Sequence, residues 1–447
     1  MTDIAAGETI TSPLDVNRFS PDDAADLPAE TRELLDRRRG TLGDVTPLLY
    51  RRPVHLVRGE GLWLTDADGV RYLDMYNNVA SVGHCHPRVV EAVSRQLSTL
   101  NTHTRYLHEG VIDYARQLLA TLPAAFGEMV FTCTGSEAND LAVRIARHVT
   151  GHRGVIVTAG AYHGGTTVSA ACSPSVDPAV PDWVRIVPAP DPFREGADES
   201  VRSFAAAVAR QVDDLTASGI GTAALLVDTV FSSDGIQPGP LGLLGPAVEA
   251  VRAGGGLFIA DEVQPGFGRL GEGMWGFDRH SVVPDLVTMG KPMAAGIPVA
   301  ALAATTRTAE AVGRKVPYFN TFGGNPVSMA AAQAVLDVIR DEGLIENAAA
   351  RGKQLLDGLA PMRESFAVVG DVRVAGLFAG VEIVGAGGAP DTATATAVVN
   401  TLRDRGVLLS TAGVHGNVLK IRPPLPIAES EMDHFLQVFG EVLTDLP

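Results

Sequence analysis

Two charged residues stand where short apolar runs of this sequence end. Asp261 directly follows the run Leu257–Ala260, and Lys291 follows the run Leu286–Met289 after one glycine. A buried aspartate needs a charged partner, and the protonated ring nitrogen of pyridoxal phosphate is one such partner. Burial would also lower the pKa of the lysine amine and favour a Schiff base with an aldehyde. The pair could therefore support pyridoxal phosphate chemistry, whereas Asp261 alone could simply cap a helix.

The sequence offers few other lysines for such chemistry. Of the 36 basic residues only four are lysines, namely Lys291, Lys315, Lys353 and Lys420. Lys315 and Lys353 stand in polar helical or loop settings, whereas Lys420 stands in a predicted C-terminal strand. Lys291 is the best candidate, and Lys420 is a minor rival.

A third site follows the predicted strand Met129–Cys133. Gly135 and Ser136 open a helical segment there, and a helix N-terminus offers free N–H groups and a positive dipole end to a phosphate. Taken alone, this pattern is better explained by an ordinary serine cap after a glycine turn.

The elements that position these side chains are short apolar runs, which alternate with helical segments over more than 200 residues. Five runs are predicted as strands: Met129–Cys133, Gly154–Val157, Ala223–Val227, Leu257–Ala260 and Leu286–Met289. The alternation predicts an α/β fold with a mostly parallel sheet, whose ligands bind beyond the carboxyl ends of the strands.

Both chain ends differ from this pattern. We predict a helix near 28–39, a β-hairpin within 56–73, one long helix over 326–360, and strands near 379–384 and 417–422. The predicted organisation is an N-terminal arm (1–45), an N-terminal part of a small domain (46–85), a large cofactor-binding α/β domain (86–325) and a C-terminal small α+β domain (326–447).

Composition limits the partners and the compartment. The 447 residues carry 36 basic and 52 acidic side chains, a net charge of −16, which argues against nucleic acid or an anionic membrane as the main partner. The three cysteines form no CxxC pair, the N-terminus has no signal-peptide pattern, and no apolar run approaches the ~18 residues of a membrane span. We expect a cytoplasmic protein.

Two motifs are discounted. The run Gly266–Gly271 has the spacing of a dinucleotide fingerprint, but it follows an acid pair and a proline and precedes no helix, so we predict a loop. The cluster His84–His86 has no distant cysteine or histidine set to complete a metal site, so no metal is predicted.

Five motifs in this order resemble the class III aminotransferases, which are fold type I pyridoxal phosphate enzymes with a seven-stranded, mostly parallel sheet and a small α+β domain built from both chain ends. The motifs are Thr134–Asp140, Ala161–Gly164, Ala260–Gln264, Met289–Met293 and Thr321–Pro326. The resemblance implies that Lys291 holds the cofactor as a Schiff base and that Asp261 pairs with its ring nitrogen.

The same resemblance implies further cofactor-binding residues. They are Gly135 and Ser136 at the phosphate, Tyr162 and Val263 on the two ring faces, Gln264 near the ring hydroxyl, and His163. Thr321 would reach the cofactor phosphate of a neighbouring subunit, which implies an obligate homodimer.

Within this class, four segments resemble the ethanolamine-phosphate phospho-lyases, which eliminate phosphate and ammonia from O-phosphoethanolamine to give acetaldehyde. The segments are Tyr76–Pro87, Leu100–His108, Tyr318–Ser328 and Val418–Pro424. Class III aminotransferases usually hold a substrate carboxylate with an arginine where this sequence has Lys420, and the glutamate that gates it corresponds to Asp228. Both departures weaken the case for an amino acid substrate, unless Arg422 takes the role.

A small phosphorylated amine would need charge-assisted donors for its phosphate. The candidate substrate-binding residues are Arg105, with Asn77 and Asn78 in the same pocket, and Lys420. For Arg105, an ion pair at the surface or at a dimer interface is an equally good explanation.

Three alternatives to a phospho-lyase of O-phosphoethanolamine stay open. The chain could be an ω-aminotransferase that moves an amino group to a keto acid, a phospho-lyase of phosphohydroxylysine, or a regulatory protein that binds pyridoxal phosphate without catalysis. The intact Lys291 and Asp261 argue against the last of these.

Overall fold

A computed structural model describes residues 16–446 of the chain. The strands are β1 (Leu56–Glu60), β2 (Trp63–Asp66), β3 (Arg71–Asp74), β4 (Phe126–Thr132), β5 (Gly154–Thr158), β6 (Val184–Val187), β7 (Thr222–Asp228), β8 (Leu257–Asp261), β9 (Leu286–Met289), β10 (Ala300–Thr305), β11 (Val369–Ala375), β12 (Phe378–Ile383), β13 (Val407–Leu408), β14 (Ser410–Ala412) and β15 (Val418–Ile421). The helices are α1 (Ala29–Leu42), α2 (Pro87–Leu97), α3 (Glu109–Leu119), α4 (Gly135–Thr150), α5 (Thr167–Ala171), α6 (Pro192–Glu195), α7 (Ala197–Ala217), α8 (Gly245–Ala253), α9 (Thr306–Val312), α10 (Pro326–Asp341), α11 (Leu344–Ser365), α12 (Thr392–Asp404) and α13 (Glu429–Thr444).

A seven-stranded sheet forms the centre of the fold, in the order β4-β10-β9-β8-β7-β5-β6. Strand β10 runs antiparallel to both neighbours, and the other pairs are parallel. Every residue of β5, β9 and β10 is buried, as expected for strands covered on both faces. The predicted mostly parallel sheet is confirmed, and its parallel strands place Asp261 and Lys291 at the same edge.

Two strands of this sheet escaped the residue-based prediction. Strand β10 is four-sixths alanine, a residue depleted in strands, and β6 has only four residues. The five strands that were predicted all form, and β9 has the predicted bounds.

Two four-stranded sheets use segments from both ends of the chain. One has the order β1-β2-β3-β13, with β13 parallel to β3, and the other has the order β11-β12-β15-β14. The predicted hairpin is β2–β3, and β1 extends it to a three-stranded meander. The domain boundaries given above stay a prediction.

The single long helix predicted over 326–360 is wrong. Helix α10 ends at Asp341 and α11 begins at Leu344, because Gly343 adopts a left-handed conformation with φ of 62° between them. The segment Gly266–Gly271 is an irregular loop, as predicted. Within residues 16–446, none of the helices combines the length and apolar character that a bilayer crossing requires.

Candidate active site

A cavity of about 270 Å³ opens at the carboxyl ends of the central strands. Its lining includes Gly135, Ser136, Tyr162, His163, Asp261, Val263, Gln264 and Lys291. These are all the predicted cofactor-binding residues except Thr321, so the fold brings together side chains from four separate segments of the chain.

Lys291 follows β9 and its side chain opens into this cavity. Loss of hydration lowers the pKa of its amine, and the positive charge of Arg422 lowers it further. The carboxylates of Asp261 and Asp228 act in the opposite direction without cancelling the effect. Lys291 therefore loses its proton more readily than a free lysine in water, which suits a nucleophile or a base.

Asp261 ends β8 and is held by several donors. Its Oδ2 accepts hydrogen bonds from His163 Nδ1 at 2.7 Å and from Asn139 Nδ2 at 2.9 Å, and its Oδ1 accepts one from the amide of Val263 at 3.1 Å. Burial raises the pKa of the carboxyl, but the hydrogen bond and charge of His163, with the bond from Asn139, outweigh burial and hold the pKa below its ordinary value. Asp261 is an ionised acceptor.

Asn139 is a site residue that the sequence reasoning missed. Besides its bond to Asp261, it donates to the carbonyl of His163 at 2.8 Å, and its oxygen accepts from the hydroxyl of Thr288 at 2.6 Å. It lies within the motif Thr134–Asp140, one helical turn after Gly135, so helical periodicity could have placed it on the cavity side of α4.

The N-terminus of α4 forms the other end of the cavity. Thr134 caps the amide of Glu137, and the Glu137 carboxylate accepts from the amide of Cys133 at 2.7 Å. In the described part of the chain, no acceptor pairs with the amides of Gly135 and Ser136. Two free amides at the start of a 16-residue helix form an anion site.

Two glycines keep this anion site open. A Cβ at Gly135 would lie 2.9 Å from Val263 Cγ2, and one at Gly164 would lie 2.4 Å from Ser136 Oγ. Gly164 also has a backbone φ of 139°, a value that residues other than glycine rarely adopt. Glycine at these two positions therefore allows the backbone to pack directly against Val263 and Ser136, which line the cavity.

The donor set fits pyridoxal phosphate. The α4 N-terminus can bind its phosphate, ionised Asp261 can accept from its protonated ring nitrogen, and Lys291 can bind its aldehyde carbon. Tyr162 and Val263 line the space between these two ends.

Three predicted substrate residues lie beside the cavity rather than on its surface. Lys420 is 6% exposed, and its amine donates to Ser232 O at 3.2 Å and to Gln264 Oε1 at 3.0 Å, so it is engaged behind Gln264. Buried Asn78 donates to the carbonyl of Gln264 at 3.0 Å, and Asn77 accepts from the amide of Val79 at 3.0 Å within its own turn. These contacts shape the wall of the cavity.

Arg105 and Thr321 lie outside the cavity of their own chain. The Arg105 guanidinium lies over the Phe319 ring, 5.5 Å from its centre. Thr321 is exposed on the loop that follows, next to Phe322. The expectation that Arg105 shares a pocket with the asparagines is not met within one chain, because the segment after α2 carries it to the surface.

Comparisons with known proteins agree with this site. The aminotransferase class-III family model matches residues 49–443. The sequence is 39% identical to an alanine–glyoxylate aminotransferase 2-like protein of Drosophila melanogaster, in a match that covers 92% of this chain and 87% of that protein. It is 37% identical to the ethanolamine-phosphate phospho-lyase homolog 1 of Caenorhabditis elegans, in a match that covers 92% of this chain and 93% of that protein.

A solved structure of a phospholyase from Arthrobacter, in complex with phosphoethanolamine, is also similar. It is 42% identical to this chain, with a TM-score of 0.90, and the match covers 93% of this chain and all of the other. The fold, the cofactor site and these comparisons together place the chain in the class III aminotransferase family of fold type I enzymes, whose cofactor is pyridoxal phosphate.

Proposed function

We propose that this enzyme is a phospho-lyase that eliminates phosphate and ammonia from O-phosphoethanolamine and yields acetaldehyde. The observation that carries the proposal is the similarity, over 93% of the chain, to a phospholyase bound to phosphoethanolamine. The homolog named for ethanolamine phosphate, matched over 92% of the chain, supports the same substrate.

The residues around the cavity can perform the proton transfers of such a reaction. When bound, pyridoxal phosphate supplies an electron sink for the carbon that carries the substrate amine. Asp261 stays ionised and can hold a proton on the ring nitrogen. Lys291, with its lowered pKa, can take the proton from that carbon.

The overall reaction balances without a second organic substrate. The carbon next to nitrogen loses a proton to Lys291, and the adjacent carbon–oxygen bond breaks with its electron pair leaving on phosphate. Water hydrolyses the remaining vinyl amine to acetaldehyde and ammonia. No keto acid is consumed, which distinguishes elimination from amino transfer.

The surroundings of the cavity favour a substrate without a carboxylate. Lys420 stands where relatives of the aminotransferase type would carry an arginine, and its amine is engaged by Ser232 and Gln264. Arg422 is 5% exposed and donates to Gln264 and to Tyr76 O. Both residues are buried and neither lines the cavity, which suits O-phosphoethanolamine because it carries no carboxylate.

An aminotransferase is the second candidate. It is favoured by the similarity to proteins named alanine–glyoxylate aminotransferase 2, including 33% identity to the human protein over 92% of this chain. Both reactions would use the same cofactor contacts, so the released products must discriminate between them.

The proposed lyase should release phosphate, ammonia and acetaldehyde in equal amounts from O-phosphoethanolamine with no keto acid present. Phosphate is measured colorimetrically and acetaldehyde by coupled reduction, with ethanolamine as the control substrate. Phosphohydroxylysine, which carries a carboxylate, should turn over more slowly. If turnover instead requires pyruvate or 2-oxoglutarate and leaves phosphate on carbon, the enzyme is an aminotransferase.

We also propose that the enzyme is a homodimer in which Thr321 and Arg105 serve the neighbouring subunit's site. Both residues lie outside their own cavity, and the aromatic side chains beside them are unusually exposed, Phe319 at 56% and Phe322 at 69%. Tyr106, next to Arg105, is 66% exposed. A contiguous exposed apolar surface of this kind is typical of a protein interface.

Sedimentation of the holoenzyme should give a species of twice the 46.8 kDa chain mass. Phe322→Asp should weaken this association, because it places a charge in the interface. The matched change Leu356→Asp, at an exposed leucine of α11, should leave it intact. A monomeric holoenzyme with full activity would contradict the shared site.

A further inference from the structure

The side-chain oxygen of Gln264 accepts hydrogen bonds from two cations at once. Lys420 Nζ lies 3.0 Å from Gln264 Oε1, and Arg422 Nη1 donates to the same atom. Gln264 itself lines the cavity. We infer that Lys420 and Arg422 are positioning residues, which hold the amide of Gln264 so that its NH₂ group faces the cavity next to Lys291.

The two cations determine which end of the amide faces the ligand space. An amide oxygen can accept two hydrogen bonds, and here Lys420 and Arg422 supply one donor each. A flipped amide would set its NH₂ group against two N–H donors and would lose both bonds. Among residues 16–446, the hydrogen bonds of the Gln264 side chain are those that its oxygen accepts, and Gln264 lines the cavity, so its NH₂ group is available to an acceptor on the ligand.

Both cations are themselves held rigidly. Lys420 lies in β15 and also donates to Ser232 O at 3.2 Å. Arg422 donates from Nε to Tyr76 O at 3.0 Å, and its own amide donates to Met75 O at 2.7 Å. The strand that carries both residues is therefore fixed against the loops around the cavity.

Aromatic rings also lie beside the two basic groups. The ring centre of Phe378 lies 5.6 Å from Lys420 Nζ and 5.7 Å from the Arg422 guanidinium carbon, which also lies 5.1 Å from the Tyr76 ring centre. Lys420 forms no ion pair with a carboxylate among residues 16–446, but the charge of Asp228 acts on it. Burial and the charge of Arg422 outweigh Asp228 and hold the pKa of Lys420 well below its ordinary value.

This arrangement gives Lys420 a role that differs from substrate binding. Gln264 and Asp261 both line the cavity, and the family resemblance described above implies that Gln264 lies near the ring hydroxyl of the cofactor. It can donate to the ring oxygen of pyridoxal phosphate and so set how readily that oxygen and the nearby Lys291 nitrogen exchange protons. The inference rests on the cofactor and holds for a lyase or an aminotransferase.

The test is a double-mutant cycle on the holoenzyme, read by the absorbance spectrum of the bound cofactor and by kcat. Lys420→Met keeps the length of the side chain but removes the donor, and it should shift the pH midpoint of the absorbance change and lower kcat about tenfold, the effect of one charge-assisted hydrogen bond. In a Gln264→Leu background the same substitution should change neither quantity, because no amide remains to be positioned. Lys420→Arg, which still donates, should restore the spectrum.

Gln264→Glu tests the NH₂ group of the side chain separately from its oxygen. A carboxylate keeps both cations engaged and the wall intact but removes the NH₂ donor, so it should shift the spectrum in the direction of Gln264→Leu without loss of folded protein. Lys353→Met, at an exposed lysine of α11 paired with Asp357, is the matched control and should behave as the unmodified enzyme. The inference is overturned if Lys420→Met matches this control, or if its effect is equally large in the Gln264→Leu background.

Discussion

Replacement of Lys291 by alanine is expected to lower turnover by about ten-thousandfold or more. The substitution removes both the covalent attachment of the cofactor and the base next to the reacting carbon. Borohydride reduction of the unmodified holoenzyme should fix the cofactor on the peptide that contains Lys291, whereas the Lys291→Ala protein should keep no covalent cofactor. Peptide mass spectrometry and phosphate release measure the two effects.

Lys315→Ala serves as the control, because Lys315 is exposed and lies outside the cavity. It should retain full labelling and full turnover. A cofactor label on Lys420 of the unmodified enzyme would contradict the assignment, since Lys420 is the other lysine near the cavity.

Asp261→Asn is expected to lower kcat by several hundredfold while the protein stays folded. Asparagine cannot balance a positive charge on the ring nitrogen, so the cofactor would lose the protonated form that makes it an electron sink. His163 would also lose its acceptor at 2.7 Å. Steady-state kinetics of phosphate release, with Asp357→Asn on the surface as control, measure the effect.

The pH dependence follows from the same carboxylate. Because the pKa of Asp261 is held below its ordinary value, Asp261 stays charged throughout the neutral range and should produce no loss of kcat between about pH 5 and 8.

Retention of more than half of the activity in Asp261→Asn would show that Asp261 does not act on the cofactor.

The sequence allowed the positions of residues at the ends of buried strands to be predicted. Asp261 and Lys291 each follow an apolar run long enough to be a core strand, so the parallel sheet brings them to one edge. Gly135 and Ser136 open helix α4 as predicted, and their role at a cofactor phosphate stays a prediction. In these cases local pattern and tertiary position coincide.

The features that the sequence did not predict depend on contacts between segments that are distant in the chain. Lys420 lies beside aromatic rings, has a lowered pKa and bonds to Gln264, 156 residues away in the sequence. The residues next to Lys420 in the sequence do not show whether its amine contacts Gln264 or a ligand. The exposure of Arg105 depends on the path of the chain after α2. Strand β10 was missed because its alanines are buried by neighbours on both sides, a tertiary effect that overrides propensity.

The contacts around Gln264 also set when this enzyme can become competent during its synthesis. Asn78, near the beginning, and Arg422, near the end, both bond to Gln264, and β3 pairs with β13 more than 300 residues later. N-terminal parts of a chain leave the ribosome first. The strands of the central sheet and helix α4 lie within residues 126–305, whereas the cavity wall around Gln264 cannot be complete until residue 422 has been synthesised. Chains that terminate before that point should bind phosphate-containing ligands loosely and catalyse nothing.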